Sequence, residues 1–75
     1  MTTRRQISKE IKAKTGLNVH ILGRGTDADP YWFVGADDES ENLLANAETT
    51  TSPYSKLGSM SASEWAEHFQ YVAGI

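Results

Sequence analysis

The chain predicts an α+β fold: a three-stranded antiparallel meander with the N- and C-terminal helices on one face, in the order α-β-β-β-α. Three observations carry this expectation. The run Tyr31-Trp32-Phe33-Val34-Gly35 puts three aromatics and a valine side by side without a charge, and alternate side chains of a strand point to opposite faces. Tyr31 and Phe33 would then line one face and Trp32 and Val34 the other, which suits a central strand covered by helices on at least one side. The second observation is a pair of capping boxes, Thr3 to Gln6 and Ser61 to Glu64, each followed by a helical apolar pattern and then a glycine. The third is the alternating Leu17, Val19 and Ile21 and the threonine-rich Thr49 to Thr51 on either side of the aromatic run.

Taken in order, the first helix should run from about Arg4 to Thr15 and stop at Gly16. Ile7 and Ile11 form its thin apolar stripe, bordered by the stems of Arg4 and Lys14. Arg5, Lys9 and Lys12 fall within about 60° of one another on the opposite side. Leu17 to Ile21 reads as a strand with one face toward the core, and Gly23 to Pro30 as a loop too long for a two-residue turn. The acidic run Asp37-Asp38-Glu39-Ser40-Glu41 suits the start of a short helix carrying Leu43 and Leu44, because acids interact favourably with a helix N-terminal dipole. An acidic loop through Ala47 is the alternative. Glu48 to Ser55 reads as a third strand at an edge, since its threonines suit a pleated surface while Pro53 cannot donate to a ladder. Met60 stands where a hydrophobic staple would meet Trp65, and Trp65, Phe69 and Val72 recur at helical spacing until Gly74.

Seventy-five residues make a single domain, 1–75. A chain of this length buries only roughly 60 to 65 % of the surface its unfolded form exposes, so every large apolar residue is wanted for packing. The lack of cysteine removes disulfides, zinc ribbons and thiol nucleophiles, and fits a reducing compartment. The polar, basic start and the lack of any long apolar run argue against a signal peptide or a membrane span, so the expected location is cytoplasmic. The net charge of −3 is unevenly spread. Arg4, Arg5, Lys9, Lys12 and Lys14 against Glu10 give the first fourteen positions +4, and the rest of the chain carries −7.

The basic helix ending Thr15-Gly16-Leu17, the strand Tyr31 to Asp37, the Ser/Thr strand and the run from Leu57 through Ser61 to Glu64-Trp65 together resemble a group of short uncharacterised proteins of bacteria and their phages and plasmids. The resemblance spans most of the chain and implies a helix, sheet, helix fold and a mobile-element origin. It implies no activity and no catalytic residues. The acidic insert from Asp38 to Asn46 departs from the shorter connection of that group.

No reacting constellation emerges. His20 and His68 come from separate elements without ligand spacing, so no metal site is expected. Asp27-Ala28-Asp29 opens like a calcium loop, but Trp32 stands where glycine is required and Asp38 where glutamate is required. Gly23-Arg24-Gly25 lacks the lysine and hydroxyl residue of a phosphate-binding loop. A chain this short rarely holds both a core and a water-excluding pocket, so neither enzyme nor cofactor is expected. What remains is surface. A protein partner could be met by Trp32, Val34 and Tyr54 on an open sheet face, with His20, Leu22 and Thr50 as the side chains that would otherwise shield it. The acids Asp37, Asp38, Glu39 and Glu41, with Glu48, could occupy a basic groove on that partner. The same sheet face would also serve a homodimer. Nucleic acid is the second partner class, through Arg5, Lys9 and Lys12, against the overall acidity of the chain.

Overall fold

The computed structural model describes residues 2–47 and 49–75. It is α+β: helix α1 (Arg4–Thr15), strands β1 (Val19–Leu22) and β2 (Trp32–Gly35), helix α2 (Asp38–Ala45), a 3₁₀ turn at Leu57–Ser59 and helix α3 (Ala62–Ala73). Both capping boxes form, the Thr3 side chain accepting from the Gln6 amide and the Ser61 side chain from the Glu64 amide. Both terminal helices end on a left-handed glycine, Gly16 at φ 77° and Gly74 at φ 74°, a conformation glycine adopts without a Cβ penalty.

β1 and β2 pair antiparallel with Val19 opposite Gly35 and Leu22 opposite Trp32. Ala36 extends the ladder by donating to the Asn18 carbonyl at 2.8 Å. That bond sets the alternation, so the Ile21 and Gly23 carbonyls point away from β2. There the Arg4 guanidinium takes both, at 3.1 Å and 2.6 Å, and stands 5.6 Å from the Tyr31 ring centroid. Arg4 therefore closes the open edge of β1 and ties α1 to the sheet.

The loop between the strands is fastened on one carbonyl. Arg24, Gly25 and Thr26 all donate to Asp29 O, at 3.0, 3.0 and 3.2 Å. These converging amides are satisfied within the loop, and Gly23-Arg24-Gly25 is a turn.

The core lies on one face of the sheet. Ile7 and Ile11 of α1, Val19 and Ile21 of β1, Tyr31 and Phe33, Leu44 of α2, and Trp65, Ala66, Phe69 and Ala73 of α3 form one buried cluster with Leu17. Trp65 is fully buried, and its indole N–H donates to the Leu57 carbonyl at 2.7 Å. Met60 packs at the margin of the same cluster. Among the described residues no helix is long and apolar enough to cross a membrane.

One expectation is corrected. The described sheet has two strands, not three. The threonine segment meets β2 through a single bridge, Trp32 opposite Thr51, held by Phe33 N–H to Thr50 O at 2.9 Å and Ser52 N–H to Tyr31 O at 2.7 Å. Its outward amide at Thr51 is taken by the Thr49 hydroxyl at 3.2 Å, and the Ser52 hydroxyl accepts from Tyr54 N–H at 3.3 Å. Local side-chain bonds of this kind compete with a ladder, and Pro53 ends it. Glu48, expected at the start of that strand and in the acidic surface, lies outside the described residues. Of the two readings of the acidic insert, the helix is the one that forms, from Asp38 to Ala45 with Asp37 as its cap.

Candidate partner-binding face

Because every helix sends its buried side chains to the Tyr31 and Phe33 face, the opposite face of the sheet is the open one. The register places Leu22 beside Trp32, and His20 beside Val34, on that face, and Thr51 continues the first row. Leu22 is 40 % exposed, His20 and Thr51 are exposed, and Trp32 and Val34 are half-buried. Leu22 and His20 thus contribute to the surface rather than roofing it. Thr50, next to the Thr51 that faces Trp32, has its side chain on the Phe33 side and so does not roof this face; at the β2 edge it lines an open hollow of about 360 Å³ with Trp32, Phe33, Val34, Gly35, Glu41, Leu44 and Ala45.

That hollow brings one acid of the insert, Glu41, to the β2 edge. Residues three apart share a helix face, so Asp38 lies on the same side of α2 as Glu41, whereas Glu39 is turned about 200° away. Glu39 lines a different hollow with Thr15, Leu17 and Asn42. Asp37 is consumed as the cap: its carboxylate accepts from Asn18 Nδ2 at 2.6 Å and from the Ser40 amide at 2.9 Å. The Asn18 bond, then the Ser40 amide, with a smaller contribution from nearby Lys12, hold its pKa down at about 2.

α2 can sit this close because β2 ends in glycine. A Cβ on Gly35 would collide with the Ser40 and Glu41 backbone. Ser40 is itself fully buried, and its hydroxyl has no protein partner.

On the β1 side, a second hollow of about 340 Å³ is lined by Arg4, Arg5, Ser8, His20, Ile21 and Leu22. Arg5 therefore stands by the β1 edge and Glu41 by the β2 edge, each on a helix that packs against the other face of the sheet. The remaining basic residues of the row, Lys9 and Lys12, are exposed on α1, and Lys12 Nζ donates to the Gly16 carbonyl at 3.0 Å.

Tyr54 is not on this face. Its ring stands edge-on to Trp65 at 5.7 Å and to His68 at 5.2 Å, so the segment after the bridge crosses to the core side. His68 lies there too, 6.1 Å from Phe33, with its Nε2 buried and unpartnered. Desolvation lowers its pKa. His20 and His68 occupy opposite faces of the sheet, and among the described residues no group of three or more His, Cys, Asp or Glu could hold a metal ion.

Leu22 is the member of the face that the strand pattern did not extend to, although its alternation with Ile21 is the available signal. Tyr71, 85 % exposed, belongs to α3 and so to the side of the sheet away from this face. Comparison with family models, with curated proteins and with solved structures gave no match.

Proposed function

We propose that the chain is a non-enzymatic protein-binding module, a cytoplasmic accessory or inhibitory protein of phage or plasmid origin. It engages its partner with the open sheet face. The observation that carries this reading is the row Leu22, Trp32 and Val34, which every helix leaves uncovered although twelve buried apolar residues are collected on the other face. Tryptophan at the centre of a small patch with a charged rim is the usual composition of a binding hot spot. The rim is Glu41 with Asp38, so the partner offers an apolar side chain for Trp32 and a basic group for the acids. Glu39 contributes only to the longer-range field, and Asp37 positions α2.

The test is capture by the immobilised chain from host lysate, with and without nuclease, compared with Trp32→Ala and with an Asp38→Asn, Glu39→Gln, Glu41→Gln variant. A nuclease-resistant partner lost in both folded variants supports the reading. Capture unchanged in both would sink it.

The exposed row Arg5, Lys9 and Lys12 supports a second reading, in which the partner is nucleic acid. That reading requires retention to fall steeply between low and physiological salt and to vanish with nuclease.

A further inference from the structure

The loop that joins the two strands is wrapped around one peptide bond. Gly23 and Gly25 take positive φ, 98° and 76°, and Arg24 between them does not. This alternation turns successive amides toward one point, a concavity that suits negative charge. The N–H groups of Arg24, Gly25 and Thr26 there enclose the Asp29 carbonyl oxygen, at 3.0, 3.0 and 3.2 Å. The Asp29 N–H in turn donates to the Thr26 carbonyl at 3.1 Å and to its hydroxyl at 3.0 Å, so Asp29 is held from both sides. Both glycines are required: a Cβ on Gly23 would collide with the Pro30 carbonyl, and one on Gly25 with the Ser55 carbonyl and the Tyr31 ring. The enclosed oxygen belongs to the Asp29–Pro30 bond.

Three amides aimed at one carbonyl oxygen are also what stabilises the oxyanion formed when that carbonyl is attacked. A nucleophile is covalently at hand, because the carboxyl of Asp29 closes a five-membered ring onto its own carbonyl carbon. The leaving group is the Pro30 nitrogen, which carries no N–H and, as a tertiary amide, accepts a proton more readily than an ordinary peptide nitrogen. We propose that the chain cleaves its own Asp29–Pro30 bond, with the Arg24, Gly25 and Thr26 amides as the oxyanion hole and the Asp29 carboxyl as nucleophile and proton donor. A carboxyl oxygen bonds to the carbonyl carbon, and charge gathers on the carbonyl oxygen. Its three hydrogen bonds become charge-assisted, each roughly twice as strong as before. The carboxyl proton passes to the Pro30 nitrogen, the C–N bond breaks with its electron pair on nitrogen, and the carbonyl reforms in a cyclic anhydride. Both residues are half-buried, so water reaches the anhydride and opens it to two carboxyl groups. One water is consumed, and the products are residues 1–29 and 30–75. The step needs the protonated carboxyl, so it slows about tenfold per pH unit above ~4. The other charged side chains of the loop are Arg24 and Asp27, of opposite sign; Arg4 reaches it at the Gly23 carbonyl, and Lys56 follows the Ser55 that packs on Gly25. Cleavage happens once per molecule and does not rest on the partner-binding reading.

An Asp–Pro bond is acid-labile in any chain, so the test asks whether this fold accelerates it. The purified full chain is incubated at the lowest pH at which circular dichroism shows it folded, and in 6 M guanidinium chloride at the same pH. The β1–β2 ladder and the shared core would hold the pieces together, so fragments are counted by mass spectrometry under denaturing conditions. The folded chain should be cut at least tenfold faster than the unfolded one, at Asp29–Pro30 alone. Asp29→Asn should stay intact, and Asp29→Glu, whose carboxyl is one methylene further out, should be cut at least tenfold more slowly than the wild type. Cleavage of the folded chain no faster than of the unfolded one, cleavage that persists in Asp29→Asn, or fragments ending elsewhere would each overturn the inference.

Discussion

Trp65 holds together parts of the chain that share no other element. Its ring meets Tyr31, Phe33, Tyr54 and His68 edge-on, with centroids 6.0, 6.4, 5.7 and 6.0 Å away, and its N–H holds the Leu57 carbonyl. Packing and hydrogen bond can be separated by substitution. Trp65→Ala removes both and should cost about 3 to 5 kcal/mol, a large part of the ~4 to 10 kcal/mol available to a domain of this size. Trp65→Phe keeps most of the ring contact but orphans the carbonyl, and should cost about 1 to 3 kcal/mol. Urea titration followed by far-ultraviolet circular dichroism would show a folded baseline for the phenylalanine variant and little or none for the alanine variant. The importance of Trp65 is legible in the sequence, from its place in the apolar stripe after a capping box. Its bond to Leu57 is not, because that contact depends on how residues 53–60 return across the helix.

At the scale of elements, the features that local chemistry decides are those the sequence shows best. α1 begins and ends where Thr3, Gln6 and Gly16 place it, and α3 where Ser61, Glu64 and Gly74 place it, because a cap and its glycine act within a few residues. The third strand stops after one bridge because the next amide in phase with β2, that of Tyr54, goes to the Ser52 hydroxyl instead. α2 is legible only as one of two alternatives, since eight residues are too few to form a helix without tertiary support. That support is Gly35, which lets the α2 backbone approach β2 directly. Gly35→Ala keeps an ordinary backbone conformation but must push α2 outward, an overpacking cost of about 1 to 3 kcal/mol. Hydrogen exchange should show protection lost first over Glu41 to Ala45, with α1 and α3 protected as before. Uniform loss across all three helices would place the strain elsewhere.

For the whole molecule, sidedness is what the strand pattern left open. Alternation assigns Tyr31 with Phe33 and Trp32 with Val34, but only the packing of three helices decides which pair is covered. The same packing carries Tyr54 to the core side, against Trp65 and His68. This arrangement makes stability depend on pH in two separate steps. His68 is held neutral by desolvation, so its folded pKa lies below the unfolded value of 6.5. Between the two, the unfolded chain carries the extra proton, and stability falls as pH drops below about 6.5. Its surroundings are the rings of Phe33, Tyr54 and Trp65, and Nε2 has no acceptor to reward protonation. Asp37 is lowered from 3.8 to about 2, so the stability its ionised form contributes is present above pH 3.8 and is lost as pH falls from 3.8 through 2. Urea midpoints measured from pH 8 to pH 2 should therefore decline first below 6.5 and again below 3.8. His68→Phe should flatten the first decline and leave the second. Asp37→Asn should do the reverse and, by weakening the cap, lower the midpoint already at pH 7. A first decline that survives in His68→Phe would assign it to another group and leave the aromatic box with no part in it.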